Sequence, residues 1–192
     1  MKANAPHRVL TFALLELFCS SVTCLAIVHI GPTDIATKSA NGRYHLSAKS
    51  EKALSPATFV MSETGSTNVL WIRPQPKDEQ RPLDLFVSDD GWVVIRAAKW
   101  IHGKTTDERN ELVVVTPNGE DKARIELLNH AIPQEDVEKY ACVCLGGAEW
   151  GQAYAHCYFV TFGGKPYFCL RAWWGRRVVL DLQQGRQIPD QG

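Results

Sequence analysis

Charge of one sign is missing from this sequence: 21 Lys and Arg are balanced by 21 Asp and Glu over 192 residues. A dedicated nucleic-acid binder draws its affinity from an excess of Lys and Arg, so that class is excluded. Low-complexity tracts are also missing. The 14 Gly and 10 Pro are scattered, and 45% of the residues are hydrophobic. Disorder needs low hydrophobicity and high net charge, and this chain has neither. Several local signatures of chemistry are absent too. There is no His-Glu-x-x-His, no Ser-His-Asp order, no evident carboxylate pair and no EF-hand calcium loop. Gly146-Gly147-Ala148-Glu149-Trp150-Gly151 lacks the Gly-Lys-Ser/Thr ending of a phosphate-cradling loop. No catalytic residue, metal ligand set or cofactor is therefore assigned.

What is present begins with an apolar N-terminus. After Lys2, His7 and Arg8, residues 9–30 are apolar apart from Glu16, His29 and small hydroxyl residues. Residues 9–18 have the length of a signal-peptide hydrophobic region, and Ala26 offers a cleavage point. The whole run is also long enough for an uncleaved anchor. Against that, Glu16 near the middle of a membrane helix would cost about 2.5–3.5 kcal/mol. Residues 1–26 are read as a signal peptide or anchor, and residues 27–192 as a single β-rich domain. The protein is expected outside the cytoplasm, secreted or periplasmic, touching a membrane only if the leader stays.

Six cysteines fall in two groups. Cys19 and Cys24 belong to the leader; Cys142, Cys144, Cys157 and Cys169 lie in the last third. Cys142 and Cys144 on one strand would hold their side chains roughly 7 Å apart, too wide for one tetrahedral ion. His156 and Cys157 are adjacent, so on a strand they point to opposite faces and cannot act on each other. Export permits disulfides instead. Cys157 and Cys169 lie on the two arms of a hairpin turning at Gly163-Gly164. A three-residue loop would place them opposite each other; a two-residue loop would place Cys157 opposite Leu170. Gly-Gly favours the shorter loop and Pro166 the looser one, and the bridge is the expectation carried forward.

Apolar residues alternate along most of the chain, as half-buried strands require. Residues 43–49, 58–62 and 69–73 are expected strands, then 83–87 and 92–97 around Asp90-Gly91, and 112–116 and 123–128 around Asn118-Gly119. Val113-Val114-Val115 suits a strand covered on both faces. Residues 74–82, with three prolines and a charged stretch, are expected to form an exposed loop. Pro133, Glu135 and Asp136 mark the one short helix, near residues 133–141. Residues 156–162, 166–173 and 176–182 return to strands. Trp71 and Trp92 are expected in the core.

A unit recurs: strand, Gly turn, strand, connection, strand, Gly turn. Its copies are marked by Asn41-Gly42, Asp90-Gly91 and Gly163-Gly164, with Asn118-Gly119 and Gln184-Gly185 as the later turns. The pattern resembles the blades of β-propeller-type repeat proteins. The resemblance implies antiparallel sheets of blade-like hairpins. The second residues of the three turns stand 49 and 73 apart, against about 40–45 for regular blades. Three copies also fall short of the usual blade number of a closed ring. An incomplete propeller or a β-sandwich is the expected architecture, mainly β.

Trp173-Trp174-Gly175-Arg176-Arg177 is the most unusual local string. An outward Trp beside two Arg suits a protein partner or a glycan. Trp173, Trp174, Arg176 and Arg177 are the candidate binding residues. The function expected is that of an exported, non-catalytic interaction or structural module. The alternative is an exported hydrolase-like enzyme with a site near residues 142–157, where Glu149 would have to converge with His130 or His156.

Overall fold

A computed structural model of the chain describes residues 33–52, 55–77, 79, 81–98, 110–127, 131–133, 135, 136, 139, 142–144, 147–149, 156–172 and 174–189. The described residues form mainly β structure: three four-stranded antiparallel sheets and one two-stranded ribbon. The first sheet holds β1 (Asp34–Lys38), β2 (Tyr44–Lys49), β3 (Thr58–Glu63) and β4 (Val69–Pro74). The second holds β5 (Arg81–Val87), β6 (Val93–Ala98), β7 (Asn110–Val115) and β8 (Asp121–Glu126). The ribbon pairs β9 (Cys142–Cys144) with β10 (Gly147–Glu149). The third sheet holds β11 (His156–Phe162), β12 (Lys165–Arg171), β13 (Arg177–Asp181) and β14 (Arg186–Ile188). Strands within each four-stranded sheet are neighbours in sequence order, the up-and-down order of a blade.

The glycine-marked turns fall where the recurrent unit requires. Asn41-Gly42, Asp90-Gly91 and Gly163-Gly164 each join the first two strands of a sheet. Gly65, Gly119 and Gly185 join the last two, all with positive φ (75°, 85° and 66°), a conformation that disfavours any side chain. The first two sheets share a finer feature. Each has a register shift between its third and fourth strands, after which Met61 pairs with Trp71 and Val114 with Ala123.

The second sheet sits between the other two. One core joins it to the first sheet: Leu46, Phe59, Met61 and Trp71 pack against Leu85, Val93, Ile95 and Val113. The other joins it to the third: Val94, Leu112 and Val114 pack with Phe168, Leu170, Val178 and Leu180. Val113, Val114 and Val115 are all fully buried, so this β-branched run is covered on both faces. Full burial of each such side chain contributes about 1.5–3 kcal/mol.

Several expectations change. Residues 34–38, not among the expected strands, form β1 because pairing with β2 supplies the ladder that their weak alternation did not announce. Residues 74–82 are not simply exposed loop. Pro74 ends β4, Arg81 and Pro82 begin β5, and the Glu79 side chain is fully buried. Pro82 is tolerated because β5 is an edge strand. Residues 186–188, not among the expected strands, form β14. Finally, the expected disulfide between Cys157 and Cys169 is not formed. The hairpin turns on the two glycines alone, with Phe162 opposite Lys165, so Cys157 faces Leu170 and Cys169 faces Tyr158. Both thiols are free, on opposite faces of the sheet.

Trp71 is buried, and its indole N–H donates to the Pro117 carbonyl at 3.1 Å. Trp92, by contrast, is half-buried at the edge of the second core. The helix expected near residues 133–141 lies largely outside the described residues; within it, the Asp136 N–H donates to the Pro133 carbonyl. Among the described residues no helix is long and apolar enough to cross a membrane.

Candidate functional site

Of the four candidate residues in the 173–177 string, three are described. Trp173 lies outside the described residues. Trp174 is half-buried and packs against the core between the second and third sheets. Arg176 Nε donates to Asp136 Oδ2 at 2.7 Å, tying the start of β13 to the 133–136 turn. Arg177 is exposed and stands in a row with Arg171 and His156, since His156 pairs with Arg171 and Arg171 with Arg177. That basic row lies on the face of the third sheet turned away from the second.

The same face carries a larger feature. Alternation sends Cys157 and Phe159 inward and Tyr158, Val160 and Phe162 outward. The outward three are 47%, 41% and 78% exposed. Beside them, Tyr158, Cys169, Val179 and Ile188 form one row across all four strands. Sequence reasoning missed this stripe because β11 is apolar on both faces. Alternation tells inside from outside only when one face is polar.

The first sheet also turns one face away from the second. There Ala36, Ser47, Val60 and Ile72 form a row across its four strands, with Ile72 63% exposed.

The first strands of the three sheets surround a cavity of about 380 Å³, lined by Lys38, Phe86, Ser88, Asp89, Asp90 and residues 157–161, among others. Its polar groups are already engaged in part. Asp89 Oδ1 accepts the Asn41 N–H at 2.8 Å, and Ser88 Oγ accepts the Trp92 N–H at 2.9 Å. Among the described residues no three His, Cys, Asp or Glu side chains are grouped to hold a metal ion.

Neither described thiol is activated. Burial pushes Cys157 up to about 11; nearby Arg96 lowers it less, and Asp84 adds to the rise. Burial raises Cys169 too, against the hydrogen bond from Tyr158 and the charge of Arg177. Thiols held protonated at neutral pH are poor nucleophiles. Of the residues named for the hydrolase alternative, His130 lies outside the described set and Glu149 is placed only as part of β10, while His156 is exposed on β11.

The buried charges serve the architecture. Arg73 on β4 donates from Nη1 to Glu79 Oε1 at 3.1 Å and from Nε to Asp121 Oδ1 at 2.7 Å, and also bonds Glu79 Oε2. Arg124 on β8 approaches the same Glu79 at 3.4 Å. Burial disfavours the Arg73 charge, yet hydrogen bonds and charge from Glu79 and Asp121 more than reverse this and raise its pKa. The cluster clamps the first sheet to the second across the β4–β5 connection. Arg96 is likewise buried and paired with Asp84 in the second sheet. Comparison with known protein families, with curated proteins and with solved structures finds no match for this chain.

Proposed function

We propose that this protein is an exported, non-catalytic interaction module of the cell envelope or extracellular space, built as a propeller-type stack of three blades. One observation carries the reading: among the described residues, the exposed large hydrophobic ones all lie on the two end sheets. Val69, Leu70 and Ile72 are on β4, Tyr158, Val160 and Phe162 on β11, and Ile188 on β14. The middle sheet, covered on both sides, has none among its described residues. An apolar patch left on an outer face is the usual mark of a surface that another protein covers. The flat face of a sheet suits a protein partner better than a glycan, which needs a groove with polar donors. Support for export comes from the basic start and the apolar run 9–30.

Hydroxyl-radical footprinting tests this reading. Tyr158 and Phe162 should be oxidised readily in dilute purified protein and be protected in the intact envelope or secreted fraction of expressing cells. Equal oxidation in both settings would refute an interaction role for this face.

A further inference from the structure

The contact between successive sheets repeats, and among the described residues both halves of it are left open at the ends of the stack. In the second sheet, Gly119 lies against Trp71 on the outer strand of the first sheet. A Cβ on Gly119 would stand 2.8 Å from Trp71 Cγ. In the third sheet, Gly185 lies against Ala123 on the outer strand of the second, and a Cβ there would stand 2.9 Å from the Ala123 Cβ. Trp71 and Ala123 occupy the same place in their sheets, just past the register shift. So each glycine turn is seated on the outer strand of the preceding sheet.

The first sheet has the same turn, and among the described residues it has nothing to sit on. Gly65 has φ 75°, as its counterparts require, and a Cβ there would meet nothing within 4 Å. The third sheet has the complementary gap. Arg186, which leads β14 out of its turn and pairs with Asp181, is exposed on the outward face. The faces behind these two features differ in size of side chain. The first sheet offers the row Ala36, Ser47, Val60 and Ile72. The third offers the bulkier row Tyr158, Cys169, Val179 and Ile188. Large side chains facing small ones allow two sheets to interdigitate.

We propose that the outer face of the third sheet docks on the outer face of the first sheet of a second copy of this chain, with Gly65 seated over β14. This continues the sheet-to-sheet interface already present twice within the chain. It rests on the interaction reading above and names the partner. A second copy fits because one chain carries both unmatched halves, the open turn at one end and the open strand at the other. The contact is head-to-tail, so two copies that satisfied both junctions would close a ring of six sheets, within the about 4–8 typical of closed propellers.

Sedimentation of the purified full chain provides the test. The wild type should sediment at twice the monomer mass or more. Ile72→Asp on the first sheet and Val160→Asp on the third should each weaken association at least tenfold, with thermal unfolding unchanged. An equimolar mixture of the two variants should form a 1:1 pair again, because each retains the face that the other lacks. If Val160→Asp does not fold, Phe162→Asp takes its place. A wild type that stays monomeric at every concentration overturns the proposal. So does an Ile72→Asp variant that still pairs, which would mean that two third sheets meet face to face. A monomer whose Tyr158 is nevertheless protected in the native envelope would overturn the second copy and leave the interaction reading standing.

Discussion

Replacing Glu79 by Ala is expected to strip the strongest clamp from between the first two sheets. The Glu79 side chain is fully buried and faces two guanidinium groups, Arg73 and Arg124. Arg73 is itself only 7% exposed, so without Glu79 its charge stays buried with Asp121 as its remaining carboxylate. Removing one member of a buried ion pair costs about 3–5 kcal/mol, because the partner's desolvation is no longer offset. Asp121 still bonds Arg73 Nε at 2.7 Å, and the guanidinium lies 5.1 Å from the centre of the Phe59 ring. Both retained contacts place the expected loss near the lower end, about 3 kcal/mol. Domains of this size have total stabilities of about 5–15 kcal/mol, so the loss is a large share. It corresponds to a fall in Tm of roughly 6–12 °C. Urea unfolding followed by Trp fluorescence gives the free-energy loss, and a thermal melt gives the fall in Tm. A double variant, Arg73→Met with Glu79→Leu, should recover most of the loss, since it leaves no lone charge and fills the space with apolar atoms. A loss below about 1 kcal/mol for Glu79→Ala would refute the reasoning and mean that water reaches the cluster in solution.

Two further outcomes follow from the turns and the thiols. Gly119→Ala should destabilise by about 2–4 kcal/mol, because positive φ and the approach to Trp71 act together, whereas Gly42→Ala, with φ 72° and open space around it, should lose only about 1 kcal/mol. Equal losses in urea unfolding would show that Trp71 moves aside. Iodoacetamide should modify Cys157 very slowly at pH 7, with a rate rising about tenfold per pH unit up to the neighbourhood of 11, as expected for a thiol kept protonated by burial; rapid alkylation at pH 7, or a Cys157–Cys169 bridge in a non-reducing tryptic map, would contradict the register described.

The local order of this chain can be read along its sequence. Glycines at 42, 65, 91, 119, 163, 164 and 185 need positive φ, and each marks a turn whatever surrounds it. Alternation in residues 43–49 put Leu46 and Ala48 on one face, and three consecutive valines at 113–115 required cover on both faces. Those are nearest-neighbour effects of backbone sterics and of a two-residue period, and they can be read along the chain. Weak strands could not be read that way. Residues 34–38 and 186–188 pair only because β2 and β13 offer them an edge. The fate of Glu79 was equally hidden, since a carboxylate in a Pro-rich charged stretch looks solvated until Arg73 and Arg124 from two sheets are brought to it. The cysteine pair turned on a single residue of loop length, which flips a whole strand face. The outward stripe of β11 escaped for the converse reason. Tyr158, Val160 and Phe162 are as apolar as Cys157 and Phe159, and only the stacking of the third sheet on the second decided which set would be covered.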